Sequence, residues 1–250
     1  MAATSRGLGQ QAGSGRAVGK GECGGMLIAE DLLLLLTEDT SGRLAVPAAQ
    51  ADAALGGANL VELALMGKVD LSGAGDTGKR GRLTVRDPAP AGDPVLDAAL
   101  EILTARQGSK PAAVIRPLGK NLRQVLYERL AASGITRPEH SRMLGVLPTH
   151  RWPAIDTSHE DQVRQQLTTA VTGQAAPDPR TGALIALLHA LKCEHKIINP
   201  QQCGLSKRQL RARAGEIAKG NWASEAVRKA IEEMIAALAA VTSTAAAGAG

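Results

Sequence analysis

A chain of 250 residues that contains no phenylalanine, one tyrosine (Tyr127) and two tryptophans (Trp152, Trp222) has to fill its core with leucine, isoleucine, valine and alanine. Alanine and leucine are strong helix formers, and small side chains let helices approach closely. An apolar content of 44% is ordinary for a globular interior. These features predict a mainly α fold: a single domain of amphipathic helices around a buried central apolar helix, with short β-hairpins.

The pattern along the chain fills in this outline. Residues 1–25 are rich in Gly, Ser and Gln, carry Arg6, Arg16 and Lys20 and lack apolar periodicity, so they read as a flexible arm. Met26 is a candidate true start. The folded domain is expected over 26–242, with an Ala/Gly tail over 243–250 that frays. Leu27, Ile28 and Leu32 to Leu36 predict a buried helix that ends in the polar turn Thr37 to Gly42. A helical region over Ala48–Met66 is expected to break near Gly56-Gly57. Lys68–Leu71 and Arg82–Val85 alternate apolar and polar residues as a short hairpin does. After the stiff Pro-rich loop from Asp87, Asp93 with Pro94 caps and opens a helix through Leu103.

Pro111 then separates a further unit, in which Gly119–Ala132 reads as one helix. Leu122, Val125, Leu126 and Leu130 make its apolar face, with Lys120, Arg123 and Tyr127 as an adjoining stripe. Ile135 to Leu147 reads as a β-hairpin turning near Arg137–His140, which leaves Met143, Leu144, Val146 and Leu147 on its second arm. Further helices are expected over Asp161–Val171, then Ala183–Leu191 capped by Thr181, then a basic helix from Lys207 to Arg213 capped by Ser206. A last helix, capped by Asn221, carries Val227, Ile231, Met234, Ile235 and Leu238. The run Ala183–Leu191 is apolar on every side and is assigned to the centre.

Several function classes are disfavoured. Cys23, Cys193 and Cys203 are odd in number and unevenly spaced, which argues against a disulfide framework and for a reducing cytosol. Cys193, His195 and Cys203 lack a fourth ligand at metal-site spacing, so neither a metal nor another cofactor is expected. No apolar run reaches the roughly 18 to 20 residues of a membrane span, and the first 25 residues have no signal-peptide core. No nucleophile, acid–base pair or metal set can be assembled, so the chain is not expected to be an enzyme. His189 reads as a core residue, and Gly73–Lys79 lacks the Ser or Thr of a phosphate-binding loop after its lysine.

Charge points toward anionic partners. Twenty-nine basic against 24 acidic residues give a net charge of +5, which attracts phosphates of lipid or nucleic acid without choosing between them. Lys207–Arg213 reads as a solvated helix face. Arg116, Lys120 and Arg123 form a triangle suited to a phosphate monoester. Without stacking aromatics or a recognisable module, no nucleic-acid partner is expected.

The segments Met26–Leu36, Gly42-Arg43, Leu60–Gly67, Asp93–Asp97, Leu122-Arg123 with the helix to Gly134, Thr149–Pro153 and Ala183–Leu191 together resemble, in order, the Golgi phosphoprotein 3 family. Given the Ala, Gly and Arg bias, the likeness is to its bacterial, actinobacterial branch. That resemblance implies binding of phosphatidylinositol 4-phosphate, a protruding apolar hairpin (Ile135, Met143, Leu144) for membrane contact and self-association, and protein cargo. The chain is therefore expected to be a peripheral adaptor on the cytoplasmic face of an anionic phospholipid membrane, of the cell membrane in a bacterium and of the Golgi only in a eukaryote. A lipid-free oligomeric scaffold is the first alternative, and a non-specific nucleic-acid binder using the Lys207–Arg213 helix is the second. The family's lipid pocket joins an early Trp and Arg to two basic residues three apart. Lys120 and Arg123 match the later pair, with Arg116 nearby, whereas Pro47 and Gly56 occupy the early positions.

Overall fold

The computed structural model describes residues 25–240, apart from 73–78, 144–146, Trp222, 224–227, Ala230, Met234 and Ala237, and it describes side chains outside 140–150. The expected arm through residue 24, the tail from 243, the Gly-rich residues 73–78, Leu144, Val227 and Met234 lie outside these residues.

Helix α1 (Ile28–Leu36) has all of its 9 residues buried, as an all-round apolar helix must. Two of them are acids, and a buried carboxylate is costly unless it is paired. Glu30 folds back to accept the Leu27 N–H at 2.8 Å and faces the Arg129 guanidinium at 3.0 Å. Asp31 is held by His159 Nε2 at 2.7 Å and by Arg180 Nε at 2.8 Å. The start of α1 is thereby pinned to the three elements that supply these partners.

Helix α2 (Ala48–Leu65) is continuous. The break expected at Gly56-Gly57 does not occur: both glycines are buried within the helix, and Gly56 stands where another helix approaches. A Cβ on Gly56 would collide with the Ile115 carbonyl oxygen and lie 2.8 Å from Gly119 N, and one on Gly119 would collide with the Asp52 carbonyl. The two glycines let α2 and a later helix cross backbone to backbone. Strands β1 (Val69–Leu71) and β2 (Leu83–Val85) form the expected hairpin, with Val69 opposite Val85. Helix α3 (Pro94–Ala105) opens on Asp93, whose side chain accepts the Val95 N–H at 2.8 Å.

The next stretch corrects the sequence reading. Gly119–Ala132 is not one helix: α4 (Pro111–Gly119) ends at Lys120, and α5 (Leu122–Ala132) begins after Asn121, whose φ of 60° is left-handed. A left-handed residue cannot continue a right-handed helix, so the chain turns there. Helix α5 buries Leu122, Leu126 and Leu130 as expected, but Tyr127 joins them in the interior and Val125 is left 42% exposed, so these two exchange the faces expected of them.

The second hairpin forms, but its turn is displaced. Strands β3 (Glu139–Met143) and β4 (Leu147–Arg151) pair with Met143 opposite Leu147, so the connection is 144–146, not Arg137–His140. Met143 belongs to the first arm.

Helix α6 (Ser158–Thr172) is followed by α7 (Pro179–Ala190), which is buried along most of its length as predicted. Its cap is Asp178, which accepts the Arg180 and Thr181 N–H groups; Thr181 lies inside the helix and donates to Asp178 Oδ2 at 2.6 Å. The short α8 (Glu194–Ile197) leads to α9 (Lys207–Ala218), capped by Ser206 as expected. His189 is less settled than expected: its buried Nδ1 has no hydrogen-bond partner among the described residues and lies 3.9 Å from Glu194. Residues 228–240 are helical where described, with Ile231 and Leu238 buried. No helix among the described residues is long and apolar enough to cross a membrane.

Candidate anion-binding site

The three cations singled out from the sequence do not share one helical face. Arg116 is exposed on α4, Lys120 caps the end of that helix, and Arg123 is the second residue of α5. The left-handed Asn121 separates them: Lys120 lies at the rim of one hollow and Arg123 at the wall of another.

Arg123 opens onto a concavity of about 440 Å3 whose wall also carries Arg43 and Arg151. The loop after α1 delivers Arg43. Thr37 and Leu44 form a β-bridge, Glu38 N–H donates to the Arg43 carbonyl at 2.8 Å, and the loop closes against the chain that follows β4. Gly42 makes that closure fit: at φ +61° its Cα packs on the Trp152-Pro153 backbone, where a Cβ would lie 2.6 Å from Pro153 N. Arg151 ends β4 opposite Glu139, and the Thr136–Ala154 bridge holds the base of the hairpin beside the loop. Arg43 and Arg151, far apart in sequence, thus reach one hollow.

Trp152 and Tyr127 line the same concavity and stack with ring centroids 4.9 Å apart and planes 3° from parallel. Trp152 is 7% exposed and Tyr127 5%. The Tyr127 hydroxyl lies 2.8 Å from Thr37 Oγ1, which donates to the Leu33 carbonyl, and burial pushes the phenol above its ordinary range. The stack is therefore tied to α1 and forms a rigid aromatic wall under the arginines. This wall was not recognised from the sequence, although Arg151-Trp152 belongs to a segment that carried the family resemblance.

Charge in the hollow is only partly compensated. Arg123 Nε lies 3.3 Å from Asp52 Oδ1, both groups about a third exposed. Partial burial raises the Asp52 carboxyl above its usual range, and Arg123 opposes that shift. Among the described residues, neither Arg43 nor Arg151 takes part in an ion pair. A concavity with three guanidiniums on its wall, one of them 3.3 Å from a carboxylate, suits an oxyanion, because guanidinium offers planar paired donors to phosphate.

Of the residues assigned to the apolar hairpin, Ile135 is half-buried against the core and its carbonyl accepts the Ile155 N–H at 2.8 Å. Met143 is described in its backbone alone, and Leu144 lies outside the described residues. Ile155, which the sequence reading passed over, stands 59% exposed beside Ile135. Among the described residues, no group of three or more His, Cys, Asp and Glu side chains gathers as metal ligands would.

Comparison with curated proteins finds no match. A family model described as Golgi phosphoprotein 3 (GPP34) matches residues 28–234. The match runs from the buried first helix through the arginine concavity to the final helical stretch, and the ordered segments that suggested this likeness all fall within it or at its edge. The chain therefore belongs to the Golgi phosphoprotein 3 family.

Proposed function

We propose that this protein is a non-enzymatic peripheral membrane adaptor that holds the phosphate of an anionic phospholipid headgroup in the concavity walled by Arg43, Arg123 and Arg151. The observation that carries the reading is the convergence of three guanidiniums on the Tyr127–Trp152 stack. Phosphatidylinositol 4-phosphate is the form of ligand that family membership suggests.

The chain meets the departures at Pro47 and Gly56 in a physical way. Gly56 cannot carry an arginine, because α4 crosses it at backbone distance. Pro47 caps α2 between Val46 and Ala48, two residues of the concavity wall, so the early segment still borders the site. Trp152 supplies an aromatic wall, and Arg43 and Arg151 supply charge, from other parts of the chain. Charge-assisted contacts of this kind contribute roughly 1.5 to 3 kcal/mol each in hydrogen-bonded geometry, and each further basic residue near an anionic surface adds about 1 kcal/mol. Reversible docking needs only a few such contacts. Arg116 and Lys120, exposed on the neighbouring α4 end, add to the surface attraction without lining the concavity, and Ile155 beside Ile135 gives an apolar contact at the hairpin base.

Vesicle flotation tests this reading. The wild-type protein should float with phosphatidylcholine vesicles that contain phosphatidylinositol 4-phosphate and stay behind with phosphatidylcholine alone. The triple variant Arg43→Gln/Arg123→Gln/Arg151→Gln should lose binding, whereas Arg116→Gln/Lys120→Gln should weaken it only modestly. Unchanged flotation of the triple variant would place the headgroup elsewhere, and a wild type that stays behind with both kinds of vesicle would leave a scaffold without a lipid ligand.

A further inference from the structure

A second hollow, of about 630 Å3, opens between α6, α8 and the first turn of α9. Four basic side chains line it, those of Arg164, His195, Lys196 and Lys207, and no residue of its lining is acidic. Arg164 is already engaged: its Nε donates to Glu160 Oε1 at 3.0 Å and its Nη1 to the Ile197 carbonyl at 2.7 Å. The uncompensated charge lies on the two lysines. Both are exposed, and neither takes part in an ion pair among the described residues. Lys196 is fixed through one of its three donors, which reaches the Ala45 carbonyl at 2.8 Å and leaves two for a ligand.

Lys207 stands where a cation is locally unfavourable. It is the first residue of α9, Arg208 follows it, and the first turn of that helix holds no acid. A helix carries partial positive charge at its N-terminal end, so two cations placed there repel it and each other. Burial does not account for them, since both side chains are exposed. An anion in the hollow would turn this repulsion into attraction. The volume is far larger than a bare ion needs and lies within the range of small-molecule sites, roughly 300 to 1,000 Å3. Ile197 and Leu205 give the lining an apolar part, and Thr168 and Asn199 a neutral polar one, so an anion with an organic body is accommodated. A phosphomonoester suits two lysines better than a carboxylate does, because it brings close to two charges and three acceptor oxygens.

We infer that this hollow binds an organic phosphomonoester, held at its phosphate by Lys196 and Lys207 and supplied either as a soluble molecule or as a second lipid headgroup. The lipid source has a structural motive. Ala45, which Lys196 holds, lies between Leu44 and Val46 of the arginine concavity, so the two sites share one loop. The soluble source does not depend on the headgroup reading.

The test uses the full chain with Arg43→Gln/Arg123→Gln/Arg151→Gln, which removes the arginine site and separates failure of this inference from failure of the headgroup reading. Titration with glycerol 3-phosphate, followed by NMR of the backbone amides, should shift those of Lys196, Asn199 and Lys207 saturably. Acetate at equal ionic strength should not. Adding Lys196→Gln/Lys207→Gln, both at exposed positions, should weaken binding at least tenfold, as loss of two charge-assisted contacts implies. The source is then read from flotation of the otherwise wild-type chain with phosphatidylcholine vesicles containing phosphatidylinositol 4-phosphate. Lys207→Gln is compared with Arg208→Gln, whose side chain does not line the hollow. A larger loss for Lys207→Gln assigns a second headgroup, and equal behaviour of the two assigns a soluble phosphomonoester. Absence of saturable shifts, equal shifts with acetate, or binding that survives the double lysine substitution would overturn the inference.

Discussion

Replacing Gly56 by alanine adds a single methyl group where α2 and α4 cross, and it should destabilise the protein although alanine is the better helix former. The new Cβ would collide with the Ile115 carbonyl oxygen and come within 2.8 Å of Gly119 N. Both neighbours are backbone atoms, so no side-chain rotation relieves the contact and α4 must move as a body. Inserting a methyl into a packed interior costs about 1 to 3 kcal/mol, and a backbone collision belongs at the upper end. The intrinsic gain of alanine over glycine in a helix is about 1 kcal/mol. The net loss is then about 2 kcal/mol, or about 4 to 8 °C in Tm for a domain of this size. Urea unfolding followed by far-UV circular dichroism should show a lower midpoint with an unchanged slope. Gly119→Ala strains the same crossing through the Asp52 carbonyl, so the double variant should lose less than the sum of the two single losses. A Gly56→Ala protein that is as stable as the wild type, or more so, would refute the close-crossing explanation and with it the reason given for the missing arginine.

Two further substitutions probe the electrostatics. Asp52→Asn removes the carboxylate that competes for Arg123 and should tighten binding to anionic vesicles about threefold at low salt. The gain should shrink as salt rises, and unchanged or weaker binding at low salt would contradict the competition. Burial raises the Glu160 carboxyl to about 7 against the pull of Arg164. The folded protein then holds this proton more tightly than the unfolded chain. The associated stability is fully present below the ordinary carboxyl value of 4.5 and is lost as pH rises toward 7. The slope from one such proton is at most about 1.4 kcal/mol per pH unit. Glu160→Gln should flatten that part of a stability-against-pH curve, and an unaltered slope would show that another group controls it.

The helices legible in the sequence were those with unbroken apolar periodicity and a capping residue. Helices α1, α3, α7 and α9 stand close to where Leu32–Leu36, Asp93-Pro94, Ala183–Leu191 and Ser206 placed them. The misreadings share one cause: local signals that serve a tertiary purpose. Gly56-Gly57 looks like a helix break and is a helix crossing. Asn121 looks like an ordinary helical residue and is a left-handed hinge, a conformation its short polar side chain tolerates. That hinge undoes the expected stripe of Lys120 and Arg123.

The site was legible only in part for the same reason. Arg123 could be identified because it lies in a recognisable helix. Arg43 and Arg151 stand in a loop and at a strand end, and what brings them together is a pair of isolated β-bridges and the fit of Gly42 against Trp152. Periodicity carries no trace of such contacts. The Tyr127–Trp152 stack is equally nonlocal, although the scarcity of aromatic residues in the chain was a reason to ask what each of the few is for.

Phosphate entering the concavity beside Trp152 is reported directly by tryptophan emission. In a Trp222→Phe background, which leaves Trp152 as the sole tryptophan, titration with a short-chain phosphatidylinositol 4-phosphate should change the emission saturably, and Arg123→Gln should weaken or abolish the response. Emission that stays flat while the same protein still floats with anionic vesicles would show that the headgroup is held somewhere other than against the three arginines.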